Sequence, residues 1–327
     1  MKKYIQFIII SFAVITLCFS YQNSKKASIS IKETITYSWK QTDSSITLCH
    51  QNKIVWQYNF KTQKGKPFFH PLNIDNITIT ELSPSDHPWH LGLWYSWKYI
   101  NEINYWEYDQ TENVAPWNYI GQTEIRDIKI TPEKDFSCIV ELDIAYHKLD
   151  DPDVLKEKRI IQISSPDENG LFTIDYEFKF TAIAETVKLD RTPLPDEQNG
   201  SDLGGYAGLS IRFNKNLTSP NYINSDDSNN MQHGKRGLWS YYGLKNQNNE
   251  NIGVAIFDHS QSFNHPTPWY RAAIKNIPLS YMGTAPIFNK PHIMKLGETI
   301  SFNYRLKLYK DKPPYKLLQQ DWNDYVN

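Results

Sequence analysis

Residues 171–183 read LFTIDYEFKFTAI, and the pattern within them decides the fold class. Phe172, Ile174, Tyr176, Phe178, Phe180 and Ala182 alternate with Thr173, Asp175, Glu177, Lys179 and Thr181. Side chains of a strand point to opposite faces at a period of two, so this segment reads as a strand with one buried face. The same alternation recurs in SITLCHQNKIVWQYNF (45–60), SCIVELDIAYH (137–147), KRIIQISS (158–165), GLSIRFN (208–214), NIGVAIFDH (251–259) and SFNYRLKLYK (301–310). Asn, Asp, Gly, Ser or Pro bounds each of them. A helical period is hard to find over any window longer than about ten residues. Strands at short spacing without intervening helices predict an all-β chain of antiparallel sheets packed as a sandwich. One domain is expected from about residue 28 to residue 327, with the polar stretch 220–234, containing SDDSNNMQHG, as a long loop inside it.

The 327 residues carry a formal net charge of -1, which excludes an electrostatic partnership with nucleic acid as the default function. Aromatic residues make up 14% of the chain, with 10 Trp, 21 Tyr and 15 Phe. Such rings fill β-sheet cores and also present flat faces to sugars. At the N-terminus Lys2 and Lys3 precede an apolar run from Ile5 to Phe19, the plan of a secretory signal over residues 1–20 with cleavage after Ser20. A periplasmic location follows, with a lipoprotein attached through Cys18 as the alternative. No later apolar run approaches membrane-spanning length. Cys49 and Cys138 would then meet an oxidising compartment, where a disulfide or two buried thiols are both open. Nothing in the sequence sets an oligomeric state.

Three segments carry concentrated polar chemistry. Between Gly65 and Asp109, His70, Asp86, His87, His90 and Glu107 lie among Trp89, Trp94, Trp97 and Trp106. In GSDLGGYAGLSIRF (200–213), Arg212 alternates with Ile211 and Phe213 and so takes the opposite face of a strand, an exposed surface arginine being the bland alternative. Between residues 236 and 274, Asp258, His259, His265, Trp269 and Arg271 again mix titratable groups with an aromatic plane. Proton-transfer groups beside sugar-stacking rings point to His87, His90 and His265 as acid and base. Arg212, Arg271, Trp94, Trp269 and Glu107 are the accompanying candidates for contact with a ligand. Core aromatics with histidines bonded to backbone carbonyls are the structural alternative. Pro88 between His87 and His90 argues against a helical zinc motif, and because the segments offer histidines but no dense carboxylate cluster, a metal-independent reaction is expected. A site of His87, His90 and a distant His stays open.

The stretches GKPFFHPL (65–72), DHPWHLGLW (86–94), INYWE (103–107), GGYAGLSIRF (204–213), KRGLWSYYG (235–243), NIGVAIFDH (251–259) and NHPTPWYRA (264–272) resemble the ordered motifs of the PmoA-like family, secreted bacterial domains of unknown function. The likeness runs from about Lys53 to Lys310. Trp89 and Leu91 stand where that family often has His and Arg. A methane-oxidising role would need several spanning helices, and none follows the leader. The resemblance implies a galactose-mutarotase-like antiparallel β-supersandwich and an oligosaccharide substrate. It further implies a dehydratase removing water from a terminal uronic acid, as in ulvan breakdown, with no organic cofactor; in that reaction Arg212 or Arg271 would fork the substrate carboxylate, and Trp94, Trp269 and Glu107 would bind the sugar. A glycoside hydrolase using Asp86, Glu107 or Asp258, and a non-catalytic sugar-binding protein, are the alternatives from the residues themselves.

Overall fold

The computed structural model describes residues 37–61, 65–107, 120–226, 233–274 and 279–327, so the expected leader and Cys18 lie outside the described residues. Residues Ile35–Asn327 form one compact unit. Among the described residues, strands dominate and pair antiparallel throughout. The quoted segment becomes the strand Thr173–Ala182, with Ile174, Tyr176, Phe178, Phe180 and Ala182 buried and Glu177 and Lys179 exposed.

The larger sheet has the spatial order Tyr37–Gln41, Ser45–His50, Lys53–Asn59, Phe68–Ile74, Leu93–Ser96, Gly208–Arg212, Leu279–Thr284, Pro268–Ile274 and Lys235–Arg236, with Ile77–Thr78 beside Phe68–Ile74. The second runs Thr218–Asn224, Trp239–Lys245, Asn251–Asp258, Thr299–Tyr309, Thr173–Ala182, Leu155–Ile163, Cys138–Lys148 and Gly121–Pro132. A small sheet of His292–Lys295, Thr186–Asp190, Tyr99–Ile100 and Ile103–Asn104 completes the set.

Alternation builds the core between the two large sheets. Leu48, Trp56, Phe69, Leu93, Tyr95, Ile211 and Met282 of the first pack in one cluster with Val140, Ile161, Phe178, Val254, Ile256 and Leu306 of the second. Each such side chain contributes about 1.5–3 kcal/mol by leaving water. A charged pair sits inside this core. Arg159 Nε donates to Glu157 Oε1 at 2.5 Å and Nη2 to Oε2 at 3.0 Å, with Tyr146 Oη donating to the same carboxylate.

The structure departs from the sequence reading in two places and resolves a question that reading left open. The stretch expected as a loop begins inside the edge strand Thr218–Asn224, and residues 227–232 fall outside the described residues. A helix, Tyr315–Val326, follows Pro313 and Pro314. Tyr315, Leu318, Trp322 and Tyr325 recur at helical spacing and cover Trp239, Tyr241 and Phe257 on the outside of the second sheet. A 12-residue helix shows only three turns of periodicity, which the surrounding strand text obscures. Cys49 and Cys138 are both buried and free, which settles the disulfide question toward thiols.

A second apolar layer covers the outer face of the larger sheet. Because Phe69, Leu93, Trp269 and Met282 face the core, their chain neighbours Phe68, Trp94, Tyr270 and Tyr281 project outward, where Leu91 and Trp106 join them. This outward face carries the site.

Candidate active site

Residues 83–92 form a compact turn on that face. Ser83 N donates to His90 O at 2.8 Å, His87 N to Pro84 O at 3.1 Å and His90 N to His87 O at 2.9 Å. Gly92 closes it at φ +75, where an added Cβ would meet Phe69 O at 2.4 Å, so only glycine fits. The backbone of Arg212 is tied to the same turn, its N donating to Gly92 O at 2.8 Å and its O accepting from Glu81 N at 2.9 Å.

The turn opens onto a cavity of about 620 Å³, within the range of small-molecule sites. Its wall includes a closed circuit of neighbouring rings. Centroids lie 6.4 Å apart for His90–Trp106, 5.0 Å for Trp106–Tyr206, 5.7 Å for Tyr206–Tyr270, 5.6 Å for Tyr270–Tyr281 and 5.5 Å for Tyr281–His90. His87 stacks on His90 at 4.7 Å, and Trp89 also lines the space. The segment 192–206, which supplies Tyr206, also lines the cavity with Thr192, Asn199, Ser201 and Leu203, and Leu203 O accepts from Tyr270 Oη at 2.8 Å. Aromatic walls with a few neutral polar groups match a sugar, whose C–H faces pack on rings while its hydroxyls need partners.

Asp86 organises the polar end. Its Oδ2 accepts from His87 Nδ1 at 2.7 Å and from Arg212 Nη2 at 2.7 Å. Burial pushes the Asp86 carboxyl up, but the hydrogen bonds from His87 and Arg212 and their charge outweigh it and hold the carboxyl below its ordinary value. An ionised carboxylate only accepts, so Nδ1 of His87 carries a proton, and whenever the ring is in its neutral form the lone pair falls on Nε2. Arg212 Nη1 also reaches His90 Nδ1 at 3.4 Å. A guanidinium only donates, so His90 Nδ1 accepts and its proton sits on Nε2. Burial, followed by the charges of His87, Arg212 and Lys66, holds His90 well below the ordinary histidine value and hence neutral. The two stacked imidazoles therefore differ in polarity: Nδ1–H of His87 faces Asp86, whereas His90 accepts at Nδ1 and carries its proton on Nε2.

A second polar group supports the Trp106 wall. Asn104 Oδ1 accepts from Trp106 N at 2.8 Å, and Lys66 Nζ donates to Trp106 O at 2.8 Å and Tyr105 O at 3.1 Å. Burial brings the Lys66 ammonium down to about 7. Glu107 accepts from Lys98 Nζ, from Asn104 Nδ2 at 2.7 Å and from Tyr206 Oη at 3.0 Å. Burial raises the Glu107 carboxyl, while the charge and hydrogen bond of Lys98 more than reverse this and hold it low.

The sequence-based candidates divide. His87 and His90 line the cavity. Arg212 takes the outward face that alternation requires, but that face is itself covered. Its side chain is 1% exposed and one nitrogen is bonded to Asp86, so it positions Asp86 and His90 instead of forking a substrate, and the surface alternative fails too. Trp94 lies one layer down, its ring 5.1 Å from His90 and 1% exposed. Glu107 acts on the cavity through Tyr206. Trp269 and Arg271 are on the other face of their strand from the lining residues Tyr270 and Ala272. Trp269 Nε1 donates to Gly237 O at 2.9 Å within the core, and Arg271 is fully buried. His265 is tied elsewhere, donating from Nδ1 to Asp258 Oδ2 at 2.7 Å at the end of a strand of the second sheet. All three segments thus contribute to the cavity wall, but the third does so through Tyr270, and His265, Trp269 and Arg271 are not among the lining residues. Asp86 as orienter and the Tyr99, Tyr206, Tyr270 and Tyr281 rings were not assigned to the site from sequence. Tyr270 and Tyr281 carried the signal of alternation, one residue out of step with core-facing Trp269 and Met282. Among the described residues no group of three or more His, Cys, Asp and Glu is arranged to hold a metal ion, and no helix is long and apolar enough to cross a membrane.

No curated protein matches the chain. Among solved structures it is similar to a polysaccharide lyase at TM-score 0.34 and 13% identity, covering 88% of this chain and 34% of that one. A beta-arabinopyranosidase matches at TM-score 0.40 and 9% identity, covering 83% of this chain and 40% of that one. A Klebsiella pneumoniae protein described as an aldose 1-epimerase matches at 0.36 and 9%, covering 90% and 86%. The chain thus spans well under half the length of the first two, and at these values no step of the chemistry rests on any of them. The model of one family covers residues 45–323, so the chain belongs to the family of unknown function DUF6807.

Proposed function

We propose that the protein is a carbohydrate-active lyase that removes water from the terminal uronic acid of an oligosaccharide, His87 serving as the base. The observation that carries this reading is the Asp86–His87 pair at the mouth of an aromatic cavity, with Nε2 of His87 left as a lone pair. His87 Nε2 takes the proton from C5, next to the carboxylate. The C–H electrons form the C4–C5 double bond, and the C4–O bond breaks. The departing oxygen takes a proton and leaves as water. One imidazole can both accept the C5 proton and return it to an oxygen on the same face of the ring, which balances the reaction. The His90 Nε2–H supports the charge that grows on the substrate carboxylate, and an interaction that strengthens as the proton leaves raises turnover. A two-carboxylate hydrolase is less well supported, because Glu107 stands behind Tyr206 and Asp86 is engaged by His87 and Arg212.

Incubation with a saturated uronate-terminated oligosaccharide tests the reading. Ultraviolet absorbance from a new conjugated double bond, together with a product one water lighter, is expected. His87→Asn should reduce the rate about 10²-fold or more with the fold intact. A product one water heavier would make the protein a hydrolase, and binding without any product would make it a sugar-binding protein.

A further inference from the structure

We infer that Tyr206 reads a hydroxyl of the bound sugar by accepting its hydrogen bond, and that Glu107 is the positioning residue that gives Tyr206 this polarity. The inference rests on the cavity binding a sugar, as proposed above, and adds which wall selects for it.

A phenol can donate or accept, and its neighbour decides which. Tyr206 Oη lies 3.0 Å from Glu107 Oε1, and a carboxylate cannot donate, so the phenolic proton points at Glu107. Glu107 is kept ionised by Lys98 and by Asn104 Nδ2 at 2.7 Å, and Lys98 Nζ also sits 5.4 Å from the Tyr206 ring centroid. Lys98 is 4% exposed. With its proton directed inward, Tyr206 presents only lone pairs to a ligand in the cavity it lines. A sugar hydroxyl supplies the donor that those lone pairs need. Across Trp106, which contacts both rings at 5.0 and 6.4 Å, His90 offers the opposite polarity through Nε2–H. One wall therefore carries an acceptor and a donor on either side of a flat indole, an arrangement that fixes a polyhydroxylated ring in one orientation relative to His87. Leaving such an acceptor unmatched in a shielded cavity costs the full loss of its hydrogen bond to water, so a ligand without the matching hydroxyl is discriminated against.

The test measures turnover and calorimetric binding of a uronate-terminated oligosaccharide and of its monodeoxy analogues at the terminal unit. Parent, Tyr206→Phe and Glu107→Gln proteins are compared, each checked for native near-ultraviolet circular dichroism. In the parent, one deoxy analogue should fall about 10²-fold in kcat/KM, mainly through KM. Tyr206→Phe should bring the complete substrate down to the level of that analogue while leaving the analogue itself within about threefold. Glu107→Gln keeps the tyrosine, yet its amide can donate to Oη and turn the phenolic proton outward, so the same discrimination should collapse. Should Tyr206→Phe discriminate among the analogues as the parent does, or Glu107→Gln retain the parent's hydroxyl preference, the inference is overturned while the sugar reading stands. Absence of both binding and turnover in the parent would overturn both.

Discussion

Replacing Asp86 by Asn, Arg212 by Met, and both together isolates the interaction on which the geometry of the site depends. The Arg212 side chain is 1% exposed and Asp86 18%, with Nη2 and Oδ2 2.7 Å apart. At an effective dielectric of about 20, charges at that distance attract by roughly 6 kcal/mol before desolvation is subtracted. Desolvation of a nearly buried guanidinium takes back much of this, leaving a coupling of about 2–3 kcal/mol. Asp86→Asn keeps an acceptor but strands the buried charge, at a cost of about 3 kcal/mol. Arg212→Met leaves a carboxylate that water and His87 still reach, at a cost of roughly 1–2 kcal/mol, and the double variant should lose no more than that. Urea unfolding of the four proteins at neutral pH, followed by tryptophan fluorescence, reads each value. A coupling below about 0.5 kcal/mol, the size of an exposed pair, would refute the buried arrangement. The pH dependence has a definite sign. A carboxyl held low in the folded state contributes stability above its unfolded value of about 3.9, and that contribution is lost as pH falls through the folded value.

Three further outcomes are expected. Lys66, brought down to about 7 by burial, binds fewer protons folded than unfolded between there and its ordinary value of 10.5, so the stability of the parent relative to Lys66→Met should rise from pH 7 to 9; a flat difference in denaturant midpoints would contradict the buried ammonium. Glu157→Gln strands Arg159 inside the core and should cost about 3–5 kcal/mol, whereas Glu157→Leu with Arg159→Met should recover most of it by calorimetry. Gly92→Ala sets a methyl against Phe69 O at a positive φ and should cost roughly 2 kcal/mol or more, with weaker sugar binding as the 83–92 turn moves; unchanged stability would contradict that turn geometry.

The strands were legible because each core strand buries one face, and a period of two survives in LFTIDYEFKFTAI without any knowledge of its partners. The DHPWH segment was legible as chemistry because His87 and His90 share a short turn and meet through local backbone bonds. The assignment of Trp269 and Arg271 failed for an equally definite reason. In PWYRA, alternation shows that Trp269 and Arg271 share one face and Tyr270 takes the other, but both faces of this strand are buried. Composition then favours tryptophan and arginine as sugar contacts, and the tyrosine between them is passed over.

Sequence by itself determined the all-β class, the antiparallel pairing and the residues that alternate on each strand, since these depend on a local period and on turn residues. Tertiary structure alone decided which of two buried faces is the core and which is the floor of a cavity. It also brought Arg212 to Asp86 across 126 positions and Tyr206 to Glu107 across 99. Those contacts arise from the spatial order of strands from distant parts of the chain, and they set the orientation of the Asp86, His90 and Tyr206 side chains around the cavity.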